Sequence, residues 1–279
     1  MTYIYYTYLV VSAAGILVLD KFLPILRQSY SLWAMPLIFI GIYLSLVIIQ
    51  ALLFVCTIQF TNLNKPMTAK RSRFFRAQLK CALPLIVGVA RVKIKASGTE
   101  KLPKDKRFLL VCNHQHDFDP VIIMATFPEC ELAYIGKKEI YTEMRFVAKA
   151  MHLMQSLPID RENDREAAKT IIKASKLIKE DVASVVLFPE GYTNLTPENG
   201  MLPFRNGAFK IAMKANAPIV VCVVNNTRQI PKNIILRRTY VDFRILDVIT
   251  PEAYNEMNTQ QLGDLIHEKM EKELEIIRK

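Results

Sequence analysis

Residues 108–127 read FLLVCNHQHDFDPVIIMATF. Phe108–Val111 is short and wholly apolar, the mark of a strand buried on both faces. Asn113 to Pro120 is polar and carries His114, His116, Asp117 and Asp119. Val121–Phe127 is apolar again and follows Asp-Pro, so a short helix is expected there. Strand, polar loop and helix form the opening half of a strand–helix–strand unit. Such folds place their chemistry in the loop after a buried parallel strand.

The same alternation recurs on the carboxyl side. Leu132–Ile135, Ser184–Phe188 and Ile219–Val224 read as further strands. Asn163–Lys179 carries Ala167, Ile171, Ala174, Leu177 and Ile178 at helical spacing, and Gly207–Lys214 also reads as helical. Tyr240–Val248 alternates less regularly and reads as an edge strand. Leu262, Ile266, Met270, Leu274 and Ile277 mark a terminal amphipathic helix. The expected fold is therefore α/β, a largely parallel sheet flanked by helices.

The amino-terminal side has a different character. Leu32–Phe60 contains no charged residue and exceeds the roughly 20 residues a helix needs to cross a bilayer core. A weaker apolar run spans Tyr3–Leu19, with tyrosines at its start as in an aromatic belt. The polar turn at residues 20–31 joins the two runs, so a helical hairpin in a membrane is expected. A cleaved leader is disfavoured because the first run has no positive start and no small-residue site before Asp20. Lys65, Lys70, Arg71, Arg73, Arg76, Lys80, Arg91, Lys93 and Lys95 follow, and no acidic residue lies between Asp20 and Glu100. Phe74, Phe75, Leu79, Leu83 and Leu85 are interleaved with these cations, which reads as an interfacial helix. Positive charge beside a span puts this side, and the domain after it, in the cytoplasm. The expected division is a membrane-embedded hairpin at 1–64, a basic interfacial segment at 65–97 and a catalytic domain at 98–279.

Of the 279 residues, 51% are hydrophobic and the net charge is +11. The basic excess adjoins a bilayer-length apolar run, so it is assigned to membrane lipid, and nucleic acid is not expected as a partner. The five cysteines fit no paired spacing, so no disulfide framework is expected.

The polar loop at 113–120 holds an imidazole and carboxylates within a few residues. An imidazole near neutral pH can take a proton from a hydroxyl, and a carboxylate can hold it in the useful tautomer. His114 and Asp119 form that pair if the loop turns them together. Asp119 before Pro120 reads equally as a helix N-cap, and one carboxylate can serve both purposes. The His114–x–His116 spacing also allows metal ligation. The other histidines, His152 and His267, lie in helix-like surroundings, so no metal is expected. His116 reads as a hydrogen-bonded loop residue.

The Asn113-His114-x4-Asp119 block resembles the first motif of the glycerolipid acyltransferases, the 1-acylglycerol-3-phosphate acyltransferase group. Gly136-Lys137-Lys138-Glu139 and Pro158-Ile159-Asp160-Arg161 resemble the second. Phe188-Pro189-Glu190-Gly191 resembles the third, Pro203-Phe204-Arg205-Asn206-Gly207-Ala208 the stretch after it, and Ala217-Pro218-Ile219-Val220-Val221 the fourth. The resemblance spans about residues 98–225 and implies an O-acyltransferase acting in phospholipid biosynthesis. It implies that His114 is the base and Asp119 its partner, and that Arg161 binds an acceptor phosphate, with Lys137 adding charge. Glu190 and Gly191 would shape the acceptor pocket, and Pro218 would be structural or bear on the donor. The implied partners are a lysophospholipid acceptor, foremost 1-acylglycerol-3-phosphate, and an acyl-CoA or acyl carrier protein as co-substrate, with no cofactor.

This chain departs from the family at one position. The third block usually continues Gly-Thr-Arg-Ser, whereas residues 191–194 are Gly-Tyr-Thr-Asn, so Thr193 stands where the arginine is expected. Arg161, Lys137 or Arg205 would have to compensate. Otherwise the acceptor carries another headgroup, or the chain is a non-catalytic lipid-binding or scaffold relative. A plain structural reading remains for three positions: Arg161 as a surface ion-pair residue, Glu190 as a turn residue, and Lys137 with Lys138 as a solvated pair.

Overall fold

The structure, a computed structural model, describes residues 3–22, 31–234 and 236–278. The turn expected at residues 20–31 falls mostly outside them. Helices α1 (Tyr3–Phe22), α2 (Ser31–Gln59) and α3 (Ala69–Val89) precede strand β1 (Val92–Ser97). Then come β2 (Leu109–Cys112), α4 (Asp119–Thr126), β3 (Leu132–Lys137), α5 (Lys138–Glu143), α6 (Arg145–Leu153) and β4 (Leu157–Ile159). The chain continues with α7 (Asp164–Lys179), β5 (Ser184–Leu187), α8 (Lys210–Ala215), β6 (Ile219–Asn225) and α9 (Ile230–Asn233). It closes with β7 (Thr239–Ile249), α10 (Pro251–Tyr254) and α11 (Thr259–Arg278).

The strands form one sheet in the order β1-β7-β6-β2-β5-β3-β4. From β6 to β4 all neighbours are parallel. β7 runs antiparallel to β6, with an irregularity at Val221/Cys222, and β1 lies parallel to β7. The two-residue period of a strand assigns its side chains to opposite layers. Leu109, Val111, Ile219, Val221 and Val223 face α7, α8 and α11, where they meet Ala174, Ile178, Ile211, Ile266 and Met270. Leu110, Cys112, Val220, Cys222 and Val224 face α3, α4 and α6, where they meet Phe75, Ile122, Ile123, Met151 and Leu153. Both faces are covered, which is why the central strands are apolar at every position.

Two expectations are corrected here. Tyr240–Val248 is not at the edge: β7 lies between β6 and β1. The edge strand on that side is β1, inside the stretch read as an interfacial segment, so the sheet begins at Val92 and not near Gly98. Its alternating lysines hid it, because a strand with one solvated face can carry charge at every second position.

Helix α3 opens on Thr68, whose hydroxyl accepts the Arg71 N–H at 3.3 Å. It is amphipathic as expected, but its apolar face meets the sheet. Phe75 and Leu83 are buried, while neighbouring Phe74 is exposed. Arg76 reaches inward and donates to Leu132 O at 2.9 Å and Met154 O at 2.7 Å. Burial lowers the pKa of this guanidinium from its ordinary value, and Glu131 nearby counters that. Phe54 of α2 stacks on Phe75 with centroids 5.5 Å apart, tying the hairpin to the domain.

Helices α1 and α2 lie antiparallel: Gly15 abuts Ile42, and the Tyr8 hydroxyl donates to Gln50. Both are long and apolar enough to cross a membrane, over Tyr5–Phe22 and Trp33–Gln59. Leu37, Ile40, Leu44, Ile48 and Leu52 stand exposed along α2 at helical spacing. Such a stripe suits contact with lipid tails.

Candidate active site

The chain leaves β2 toward β3 on one side and returns through β6 on the other, so the carboxyl end of β2 is where connections diverge. Open α/β sheets place ligands at such points. Asn113 extends the sheet past β2: its side-chain amide donates to Val224 O at 2.9 Å and accepts Val224 N–H at 2.8 Å. The loop that follows therefore starts from a fixed point.

That loop brings His114 and Asp119 together. His114 Nδ1 lies 2.9 Å from Asp119 Oδ2, and the aspartate is fully buried. The same oxygen accepts the backbone N–H of Gln115 at 2.6 Å and of His116 at 2.9 Å. A carboxylate only accepts, so Nδ1 carries a proton, and in the neutral ring Nε2 presents its lone pair. The imidazole stacks on Phe188 with centroids 4.3 Å apart, which fixes its plane. Asp119 does not cap α4 as the Asp-Pro sequence led us to expect. Its carboxylate turns back to the loop's own N–H groups, leaving α4 without a side-chain cap.

Glu190 supports the loop from the other side. Its two oxygens accept the N–H of His114 and of Leu202, each at 2.8 Å. Burial raises its pKa, against the pull of those hydrogen bonds. Asn194 N–H donates to His114 O at 2.7 Å, so residues 190–202 wrap the histidine. Gly191 has φ +76°, and a Cβ there would sit 3.0 Å from the Arg205 side chain. Glycine is required both for the left-handed backbone and for that approach.

Arg161 and Arg205 converge on Tyr192. Their guanidinium carbons lie 5.0 and 5.4 Å from the ring centroid. Arg205 also donates to the Tyr192 hydroxyl and to Arg161 O, both at 3.3 Å. Neither cation has a carboxylate partner among the described residues. Burial lowers the Arg161 pKa; the Tyr192 hydroxyl opposes this and the Arg205 charge adds to it. Two guanidiniums held together in this way could bind an anion.

The remaining expected residues are less tightly placed. Lys137 is exposed at the end of β3 and makes no hydrogen bond or ion pair among the described residues. Lys138 pairs with Asp160 at 3.0 Å. His116 accepts the Phe118 N–H at 3.1 Å. Sequence reasoning passed over Phe188, Asn194 and Tyr192 as site residues. Phe188 and Asn194 were within reach as flanks of the third block, whereas the role of Tyr192 needs the fold that brings Arg161 beside it.

The family model described as "Acyltransferase" matches residues 93–225. A 1-acyl-sn-glycerol-3-phosphate acyltransferase of Haemophilus influenzae is 30% identical over 181 residues, covering 62% of this chain and 72% of that protein. The chain belongs to the acyltransferase family. A relative with the same description from Borreliella burgdorferi is 27% identical, over 72% of this chain and 79% of its own. One from Saccharomyces cerevisiae is 30% identical over 63% of this chain, which spans 58% of that protein's length. The crystal structure of the 1-acyl-sn-glycerophosphate acyltransferase PlsC from Thermotoga maritima shares the fold. Its TM-score is 0.61 at 19% identity, covering 74% of this chain and 81% of that one. Membership makes this chain an acyl-transferring enzyme, and the imidazole–carboxylate pair is the part of the site that can activate a hydroxyl.

Proposed function

We propose that the enzyme transfers an acyl group from an acyl thioester, on coenzyme A or acyl carrier protein, to the free hydroxyl of 1-acylglycerol-3-phosphate. The product is a phosphatidic acid. The observation that carries this reading is the Arg161–Arg205 cluster on Tyr192, a residue of the segment that wraps His114. A phosphate monoester dianion answers two unpaired guanidiniums, and its glycerol hydroxyl then lies a few bonds away, toward the imidazole.

In this scheme His114 Nε2 takes the hydroxyl proton as the oxygen attacks the thioester carbon. A tetrahedral oxyanion forms and collapses, the carbon–sulfur bond breaks, and the departing thiolate recovers the proton from the imidazolium. Asp119 steadies that cation. The acceptor itself is the nucleophile, since the nearest thiol, Cys112, is fully buried. The donor brings the activated acyl group, so no cofactor enters the scheme. Arg161 and Arg205 grip the phosphate, and Lys137 adds charge at the rim. The hairpin holds the enzyme in a membrane. The basic residues after α2 favour a cytoplasmic position for the catalytic domain.

Thr193 favours a second reading, in which the acceptor is a lysolipid with another headgroup. A panel decides between them. The membrane-embedded enzyme is given acyl-CoA with lysophosphatidic acid, lysophosphatidylcholine, lysophosphatidylglycerol or monoacylglycerol, and the diacyl products are identified. Preference for the phosphate monoester is expected. Equal use of the zwitterionic acceptor would overturn the assignment of the two arginines.

A further inference from the structure

Helix α6 carries an outward apolar surface that no other described element covers. Its inner face, with Ala148, Met151 and Leu153, is buried against the sheet. On the outside, Met144, Phe146 and Val147 are 52%, 44% and 36% exposed, with Arg145 exposed among them. An apolar patch rimmed by cations has the composition of a helix that lies in a membrane surface.

Its position says what covers it. Lys149 of α6 donates to the carbonyl of Gln59, the last residue of the longer apolar span. His152 Nε2 meets Lys65 O at 3.0 Å. That span has 27 residues. At about 1.5 Å per residue it is roughly 40 Å long, against a hydrocarbon core of about 30 Å. Gln59 therefore emerges in the headgroup layer, and α6 is fastened at that depth. Lys65, Lys70 and Arg73 supply further positive charge on the chain just beyond.

We propose that α6 and the turn at Met144 form a second lipid-contacting element. Phe146 and Val147 enter the boundary between headgroups and acyl chains, while Arg145 and Lys149 meet anionic headgroups. The occupant is the bilayer that also holds the hairpin. From α6 the chain runs directly through β4 to Arg161. Docking α6 therefore sets the height of the Arg161–Arg205 cluster above the lipid, where an acceptor's phosphate resides. The lipid contact itself is independent of which acceptor is used.

Trp33 is the sole tryptophan, so a reporter is simple to build. The full chain carrying Trp33→Phe and Phe146→Trp is placed in phosphatidylcholine–phosphatidylglycerol vesicles with lipids brominated near the headgroup end of the acyl chain. The control is Trp33→Phe with Ile276→Trp on α11, where Ile276 is 56% exposed. Strong quenching at position 146 and little at 276 is expected. Equal weak quenching at both positions overturns the proposal, as does protection of position 146 that depends on enzyme concentration, which would mean a second protein copy covers the patch. A second measurement uses Phe146→Glu with Val147→Glu. Activity on vesicle-embedded acceptor should fall about tenfold relative to activity on a water-soluble short-chain acceptor. An unchanged ratio would count against the lipid contact.

Discussion

The loop around His114 and the cluster around Tyr192 lie side by side and are built on opposite rules. Around His114 the protein answers most of its own polar groups, although Asp119 Oδ1 is buried with no hydrogen-bond partner among the described residues. Asp119 Oδ2 takes three donors, Glu190 takes two, and the ring is stacked. Around Tyr192 two guanidiniums share one ring and make no ion pair among the described residues, with Glu139 acting on Arg161 only at longer range. The first region is held mainly by the protein's own hydrogen bonds. The second, in the reading proposed above, is completed by the acceptor's phosphate. On that reading, chemistry repeated on every substrate belongs to the first, and choice among substrates to the second.

That contrast breaks most visibly at His114. His114→Ala should lower kcat by about 10²–10⁴-fold with little change in acceptor KM, because it removes a base and not a binding group. Asp119→Asn should do nearly as much, since an amide does not stabilise the imidazolium. Steady-state assays in membranes, with circular dichroism to check folding, read both. A KM effect without a kcat effect would place His114 in the binding half.

Arg161→Ala tests the other half. The acceptor KM for a phosphate monoester should rise about 10- to 100-fold, the worth of a charge-assisted hydrogen bond of 1.5–3 kcal/mol. The change for an acceptor lacking the phosphate should be small. An equal rise for both acceptors would mean that Arg161 merely supports the fold.

Glu190→Gln sharpens the claim that the first region is held by its own hydrogen bonds. An amide offers one acceptor oxygen where the carboxylate offers two, so one backbone N–H loses its partner, at about 1–3 kcal/mol. Burial raises the Glu190 carboxyl above its ordinary 4.5. The native protein therefore holds that proton more tightly than the unfolded chain. This contribution is whole below about pH 4.5 and is lost as pH rises through the raised value. Thermal melts across this range should show less downward slope in the glutamine variant than in the parent. Parallel curves would remove Glu190 as the titrating group.

The smallest effect is expected for Tyr192→Phe. The ring remains for both cations, and only the 3.3 Å bond from Arg205 to the hydroxyl is lost. The acceptor KM should rise only a few-fold, corresponding to roughly 0.5–1 kcal/mol. Tyr192→Ala, which removes the platform, should cost more. Identical values for the two variants would show that the ring plays no part in placing the arginines.

Much of this architecture is visible in the chain itself. The buried strands and the 164–179 helix announce themselves because their apolar residues recur at the period of their own backbone. The His114–Asp119 pair is legible because both members sit in one short loop. Strand β1 was obscured because Val92-Lys-Ile-Lys reads first as charge and only second as alternation. The direction of the Asp119 carboxylate was hidden because Asp-Pro fits an N-cap locally, and three donors in the preceding turn outweigh one at the helix. The Tyr192 cluster was hidden because it joins residues from three separate segments, and no spacing within one segment reveals it.

The lysines of β1 have a consequence beyond the fold. This strand ends the sheet and leaves one side of its backbone unpaired. A protein confined to a membrane meets its neighbours in two dimensions, always in the same orientation, which favours strand-to-strand recruitment between copies. Lys93 and Lys95 are exposed along that border, and Lys95 rests over Tyr240 with its ammonium 5.2 Å from the ring centre. Each approaching copy would bring its own cations against these, a charge that disfavours strand-to-strand pairing along this border.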